Sequence, residues 1–160
     1  MGRPPRSGFT LIEVLVCLAV VSVLLGIGFS LARPAFDHRA AAATKSLLLW
    51  ARAEAIWRGA PVAVTELPLG AGFIARLLPA GTSDCDAGDA AGSMLLVDHP
   101  GVRITQGFGG RRGIVWLATG SGRSCSGGGV ISSDLRLAGL TGASHVVISS
   151  LGRVRVEREP

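Results

Sequence analysis

The pattern of hydrophobic and polar residues divides the chain into segments, and the first long one is an apolar run that follows a short polar start. Residues 9–32 are uninterrupted by charge except at Glu13. About 20 apolar residues suffice for a helix to cross the hydrocarbon core of a bilayer, so this run predicts a transmembrane helix. A carboxylate deep in lipid costs about 2.5–3.5 kcal/mol, and Glu13 therefore predicts a partner for its side chain.

A second helix is predicted over residues 40–58, where apolar residues recur every three or four positions. Pro34 predicts a kink between the two helical stretches, because proline removes an internal hydrogen bond. Asp37 is the predicted N-cap of the second stretch. Gly59 supplies a C-terminal stop, and Pro61 prevents the helix from continuing.

After Pro61 the period of the pattern changes from about 3.6 to 2, which is typical of strands. Two predicted loops separate groups of strands: 79–93 carries three aspartates, and 119–128 is rich in glycine and serine. We therefore predict an α+β fold in which a long N-terminal helix, its first half transmembrane, packs on a small antiparallel β domain. The predicted strands are 62–66, 72–78, 94–98, 102–106, 114–118, 129–132, 145–149 and 153–157.

Charge is distributed unevenly along the part of the chain that follows the apolar run. Residues 33–160 number 128, enough for one domain with its own core. Residues 33–100 carry a net charge of −1, whereas residues 101–160 carry eight arginines and a net charge of +5. This cationic region predicts an anionic partner, such as nucleic acid, lipid head groups or an acidic protein, and the alternative is a purely solubilising role.

The three cysteines differ in their surroundings. Cys17 lies within the apolar run, where it is predicted to pack as a small apolar residue. Cys85 and Cys125 fall in the domain predicted to be extracytoplasmic, where oxidation favours a disulfide that closes a loop of about 40 residues. The sequence has no C-x-x-C, no Walker loop and no nucleophile elbow. We predict no metal, no cofactor and no enzymatic activity.

The segment GFTLIE at residues 8–13, which follows a short leader with two arginines, resembles the type IV prepilin signature. This resemblance implies that a prepilin peptidase removes residues 1–8 by cleavage between Gly8 and Phe9, and that Phe9 is N-methylated. It implies that Glu13 pairs with the N-terminal amine of a neighbouring subunit in a filament. It also implies a single-pass inner-membrane protein, with residues 9–32 as the transmembrane half of the helix and residues 33–160 as a periplasmic domain. The alternative is an ordinary membrane anchor that contains a glutamate.

Two further segments resemble the GspH/FimT family, and residues 33–160 are accordingly predicted to be a GspH/FimT-like domain. WARAEAIWRGAPV at residues 50–62 is similar to the helix end and first strand of that family, and GRVR at residues 152–155 is similar to the G-R-x-R motif of FimT minor pilins. The second resemblance implies DNA binding during uptake. The predicted DNA-binding residues are Gly152, Arg153, Arg155, Arg158, Arg111 and Arg112. Arg111 and Arg112 lie in a glycine-bounded turn, and the alternative for this pair is a solvated hairpin tip.

The geometry of a strand gives an independent argument for the same arginines. Alternate side chains share a face, so Arg153 and Arg155 project together, about 6.6–6.8 Å apart at their bases, while Val154 and Val156 face the core. That spacing suits one arginine per phosphate along an extended nucleic-acid strand. The alternative is an edge strand whose outward arginines only discourage aggregation.

These observations predict a FimT-like minor pilin that binds DNA non-specifically and supports DNA uptake in natural transformation. The predicted partners are other major and minor pilins, prepilin peptidase, DNA and, before assembly, inner-membrane lipid. A GspH-type minor pseudopilin of a type II secretion system and a purely structural subunit that primes pilus assembly are the alternatives. The C-terminal arginine pair discriminates between them, because a secretion pseudopilin has no evident need for it.

Overall fold

The computed structural model describes residues 10–32, 34–80, 82, 84–108, 112–125, 129, 131–139 and 142–159. The chain divides into two compact units, Met1–Arg33 and Pro34–Pro160. The predictions made for Gly8, Phe9 and Arg111 lie outside the described residues.

The first unit contains helix α1, Leu11–Ala32, which corresponds to the apolar run. The carbonyl oxygen of Thr10 accepts hydrogen bonds from the N–H groups of Glu13 and Val14, at 3.1 and 3.3 Å, and so starts the helix. Glu13 lies exposed in the first turn, where the helix dipole favours a carboxylate. Within the described part of the chain, no helix reaches the length and hydropathy expected of a membrane span.

The second unit begins with helix α2, Pro34–Arg58. The predictions for its start are wrong: the helix begins six residues before position 40, and Asp37 lies inside it. Proline at the first helical position loses no intrahelical hydrogen bond and has a φ suited to a helix, so Pro34 is well suited to begin α2. The kink predicted between the two helical stretches stays a prediction, because residue 33 lies outside the described residues. The predicted stop is confirmed, because Gly59 has a φ of +63° and its N–H donates to the Ile56 carbonyl at 3.3 Å.

Two antiparallel sheets follow α2. One sheet has the strand order β3-β2-β1-β5-β6, and the other has the order β4-β7-β8-β9. The strands are β1 Val62–Glu66, β2 Gly72–Leu77, β3 Asp89–Leu95, β4 Arg103–Gln106, β5 Gly113–Trp116, β6 Gly122–Ser124, β7 Ser133–Ala138, β8 Ala143–Ile148 and β9 Val154–Arg158.

Three strands differ from the predictions. The predicted strand 94–98 ends early, because Leu96–Asp98 forms a 3-10 turn and β3 extends back to Asp89 instead. The described residues of the predicted strand 129–132 form no strand, and β7 begins at Ser133. β6 lies within a segment predicted to be a loop; this short strand is held by its pairing with β5.

The main core lies between α2 and the inner faces of both sheets. Leu48, Ala51 and Ala55 project from one side of α2 and are fully buried. They belong to one cluster with large side chains from the sheets, including Phe73 and Trp116. The small alanines let the helix backbone approach the sheets closely.

A smaller core lies on the opposite face of the five-stranded sheet. Side chains alternate between the two faces of a strand, so Ala63 of β1 and Val115 of β5 face away from α2. On that face they pack with Leu78 and Cys85. A disulfide joins Cys85, in the connection between β2 and β3, to Cys125 at the end of β6, with the two Cα atoms 5.8 Å apart. The connection is thereby held over this face.

Candidate nucleic-acid interface

The C-terminal arginines lie in and after the turn that joins β8 to β9. The N–H of Gly152 donates to the Ser149 carbonyl at 2.8 Å, and the N–H of Ser149 donates to the Arg153 carbonyl at 2.9 Å. The hydroxyl of Ser149 accepts a further hydrogen bond from the N–H of Arg153 at 3.1 Å. Gly152 has a φ of +73°, a conformation that glycine adopts without steric cost. The backbone that carries Arg153 is therefore well fixed.

Arg153 and Arg155 are exposed, and the residue between them is buried. Val154 pairs with Ile148 of β8 and reaches the main core, and Arg155 pairs with Val147. Both arginines therefore project from the outer face of the four-stranded sheet, away from α2. On this face Arg153, Arg155 and Glu157 are exposed, whereas His145 and Val147 of the neighbouring strand β8 are half-buried.

Carboxylates share the outer face with these arginines. Arg155 Nε lies 4.0 Å from a carboxylate oxygen of Glu157. Arg136 forms an ion pair with Glu159 across the sheet, and this hydrogen bond holds the pKa of the Glu159 carboxyl below its usual value. His145 Nδ1 lies 2.9 Å from a carboxylate oxygen of Asp134. The face is therefore a mixed array of charges, which sequence reasoning based on the regional net charge did not reveal.

Neither Arg153 nor Arg158 makes an ion pair within the described part of the chain, whereas Arg136 and Arg155 each lie beside a carboxylate. Arg158 is also exposed, but it pairs with Ser144, whose side chain is buried. Because side chains alternate along a strand, the side chain of Arg158 leaves β9 on the opposite face of the sheet from that of Arg155. The structure thus brings Arg153 and Arg155 together and places Arg158 apart from them.

Arg112 lies in a different region, beside the five-stranded sheet. Its guanidinium is 3.7 Å from a carboxylate oxygen of Asp86, next to the disulfide. Arg112 and Asp86 line an open cavity of about 330 Å³ together with Glu66, and burial raises the pKa of the Glu66 carboxyl. The acidic lining makes this region less attractive to an anion than the turn that carries Arg153.

One residue that contacts the turn was not singled out from the sequence. Arg52 of α2 reaches Gly152, and its guanidinium carbon lies 5.6 Å from the ring centroid of Trp116. Its only sequence signal is its place among the predicted polar positions of the second helix. Nothing in the local pattern connects it with residues 100 positions away.

Comparison with solved structures defines the fold class. The chain has a pilin-like fold, in which an N-terminal helix packs on an antiparallel β domain, and the predicted α+β architecture is confirmed. The transmembrane character of the helix stays a prediction. Residues 3–31 match the prokaryotic N-terminal methylation motif. No curated protein sequence matches the chain significantly.

Two solved structures illustrate the likeness. The type IV minor pilin FimU of Pseudomonas aeruginosa is 16% identical, with a TM-score of 0.57 over 78% of this chain and 88% of that chain. The minor pseudopilin EpsH from the type 2 secretion system of Vibrio cholerae is 15% identical, with a TM-score of 0.56 over 76% of this chain and 96% of that chain. At these identities the likeness establishes the fold alone.

Proposed function

We propose that the chain is a FimT-like minor pilin of a type IV pilus that binds DNA through the β8–β9 hairpin and supports DNA uptake. The observation that carries the proposal is Arg153, an exposed arginine on a hydrogen-bonded turn that has no ion pair with any residue the structure describes. A guanidinium matches phosphate oxygens with two donors, and the hydrogen-bonded backbone of the turn reduces the freedom that Arg153 loses on binding. Arg155 adds a second, partly neutralised cation on the same face.

The pilin part of the proposal rests on the methylation motif together with the fold. Prepilin peptidase and other pilins are the proposed partners, and the apolar helix is the proposed anchor in inner-membrane lipid before assembly. Its side chains from Leu11 to Ile27 are exposed and, except for Glu13 and Ser22, contain no strongly polar group. Glu13 then pairs with the methylated amine of the next subunit, which satisfies a carboxylate that is costly in lipid.

Processing gives the first prediction. The mature chain is expected to begin at N-methylated Phe9 when it is expressed with an active prepilin peptidase. Intact-mass and N-terminal peptide analysis of membrane-extracted protein measures this directly. In a peptidase-deficient host the same chain should keep residues 1–8, and an intact leader in both hosts would contradict the pilin assignment.

DNA binding gives the second prediction. The full-length chain in neutral detergent is expected to bind a short fluorescein-labelled duplex of any sequence, with an affinity that falls as salt rises because counterions are released. Arg153→Gln with Arg155→Gln should flatten the salt slope by up to about two units. We expect the affinity to fall roughly tenfold, which corresponds to about 1.4 kcal/mol. Fluorescence anisotropy across a salt series measures both quantities.

The control for this experiment removes the same charge elsewhere. Arg39→Gln with Arg103→Gln changes two exposed arginines, one on α2 and one on β4, at the opposite edge of the four-stranded sheet from β9. This variant should retain most of the affinity. Because Arg155 is beside Glu157, Arg153→Gln alone should have a larger effect than Arg155→Gln alone. Equal losses in the hairpin and control variants would show that net charge, and not this hairpin, attracts DNA.

A minor pseudopilin of a secretion system is the second candidate, because the fold resembles EpsH as closely as it resembles FimU. A pseudopilin requires the same processing and the same assembly contacts but not the exposed arginines. Absence of DNA binding by the wild-type chain at low salt would favour this candidate, or a purely structural subunit, over the DNA-binding pilin.

A further inference from the structure

Arg52 connects α2 to the turn that carries the arginines. One of its terminal nitrogens, Nη1, donates a hydrogen bond to the Gly152 carbonyl at 3.1 Å. The side chain is half-buried, and its guanidinium lies against the ring of Trp116, 5.6 Å from the centroid. Trp116 is itself completely buried in the main core. The guanidinium is therefore held between a rigid aromatic side chain and the backbone of the turn.

Gly152 completes this arrangement from the other side. A Cβ atom at this position would lie 3.0 Å from the Trp116 ring and 3.6 Å from the guanidinium carbon of Arg52. The backbone of the turn thus packs directly against both side chains. The carbonyl that Arg52 binds belongs to the peptide group that leads into Arg153, so this hydrogen bond restrains the orientation of that peptide group.

A lysine could not reproduce this geometry. The planar guanidinium can stack on an indole and donate a hydrogen bond in its own plane, whereas an ammonium is a compact, strongly hydrated charge. Arg52 Nε is buried and has no hydrogen-bond partner among the described residues. Burying that N–H without a partner has a cost, which the contacts of Arg52 with the turn and Trp116 must offset.

We propose that Arg52 is a positioning residue that fixes the direction in which Arg153 leaves the turn. The proposal rests on the proposed DNA-binding function, and it assigns Arg52 no contact with DNA. A prepositioned Arg153 binds phosphate with a smaller loss of side-chain and backbone freedom than a mobile one. Loss of the Arg52 contact should therefore weaken binding only when Arg153 is present.

A double-mutant cycle between Arg52 and Arg153 tests this coupling. The probe is the fluorescein-labelled duplex, and the protein is the full-length chain in neutral detergent. Arg52→Lys keeps the net charge and should lower the affinity about three- to tenfold. In the Arg153→Gln background the same change should lower it by less than about twofold. Arg58→Lys, on the same helix but paired with Glu54, is the matched control and should change little.

Two outcomes of the cycle overturn the proposal. Equal losses in both backgrounds would mean that Arg52 acts independently of Arg153, through its own DNA contact or through general stability. No loss in either background would mean that the hydrogen bond does not matter for binding. If the Arg52→Lys chain does not fold, Arg52→Gln replaces it in the cycle, because glutamine keeps most of the aliphatic stem. The proposal is then overturned by the same two outcomes: equal losses of DNA affinity with and without Arg153, or no loss in either background.

A measurement without DNA separates this proposal from the proposed function. The amide protons of Gly152 and Arg153 are hydrogen-bonded in the turn. Arg52→Lys should accelerate their hydrogen exchange at least several-fold relative to Arg58→Lys, because the turn loses one of its restraints. If the wild-type chain does not bind DNA, faster exchange still supports the positioning role, and unchanged exchange overturns it.

Discussion

We expect the Cys85→Ala, Cys125→Ala chain to lose about 3–4 kcal/mol of unfolding free energy, because the disulfide closes a loop of 40 residues. The structure adds a second reason for a large effect. The bonded Cys85 helps to cover the smaller core around Ala63 and Val115, which packs on the sheet face opposite to α2. Chemical denaturation of the full-length chain in detergent, followed by circular dichroism, measures the change.

Thiol labelling provides the control for this prediction. Cys17 is the free cysteine of the chain. After denaturation without reductant, alkylation should modify Cys17 alone, and after reduction it should modify all three cysteines. Labelling of Cys85 and Cys125 in unreduced protein would contradict the disulfide. A Cys17→Ala chain should match the wild type in denaturant stability, because that residue closes no loop.

Gly152→Ala is the second substitution for which we expect a large effect, about 2–5 kcal/mol of destabilisation. A left-handed backbone costs a non-glycine residue about 1–2 kcal/mol. The new methyl group would also lie 3.0 Å from the buried Trp116 ring, and overpacking of this kind costs about 1–3 kcal/mol. DNA affinity should fall as well, since the turn must shift away from Trp116 and Arg153 moves with it.

Two other glycines separate these contributions. Gly59 has a φ of +63° with no atom within 4 Å of an added Cβ, so Gly59→Ala should show the backbone cost of about 1–2 kcal/mol alone. Gly129 has open space and no left-handed φ, so Gly129→Ala should change stability by no more than about 0.5 kcal/mol. Neither should alter DNA binding. If Gly152→Ala lowers the unfolding free energy by no more than Gly59→Ala does, the added methyl group does not clash with Trp116.

The local pattern of the sequence predicted the elements whose signals are continuous. The apolar run corresponds to α1, and the end of α2 at Arg58 followed from Gly59 and Pro61. The alternation along residues 153–156 placed the arginines outside and Val154 inside, as the burial of these residues shows. Each of these features depends on neighbours in the chain, and periodicity or a single glycine is enough to encode it.

The two strands that the sequence analysis missed, β7 and β6, depend on pairing with neighbouring strands of their sheets. β7 has no β-branched residue, and its Ser-Asp-Leu-Arg-Leu-Ala sequence forms a strand because β4 and β8 pair with it on both sides. β6 has three residues and is held by its pairing with β5. Strand propensity depends strongly on such neighbours, so an isolated segment gives little indication of it. The start of α2 was missed because Asp37 was interpreted as an N-cap, whereas α2 begins at Pro34, a residue well suited to the first position of a helix.

The sequence by itself determined that an apolar helix precedes a β domain, that the cationic charge lies in the last third, and that two arginines share one face of the final strand. Only the tertiary structure decided which of these charges are free. It paired Arg136 with Glu159 and placed Glu157 beside Arg155, while leaving Arg153 without an ion pair among the described residues. It also brought Arg52 to Gly152 across 100 positions of sequence. Such contacts depend on strand register and on helix-to-sheet packing, which involve residues far apart in the chain, and so no local pattern encodes them.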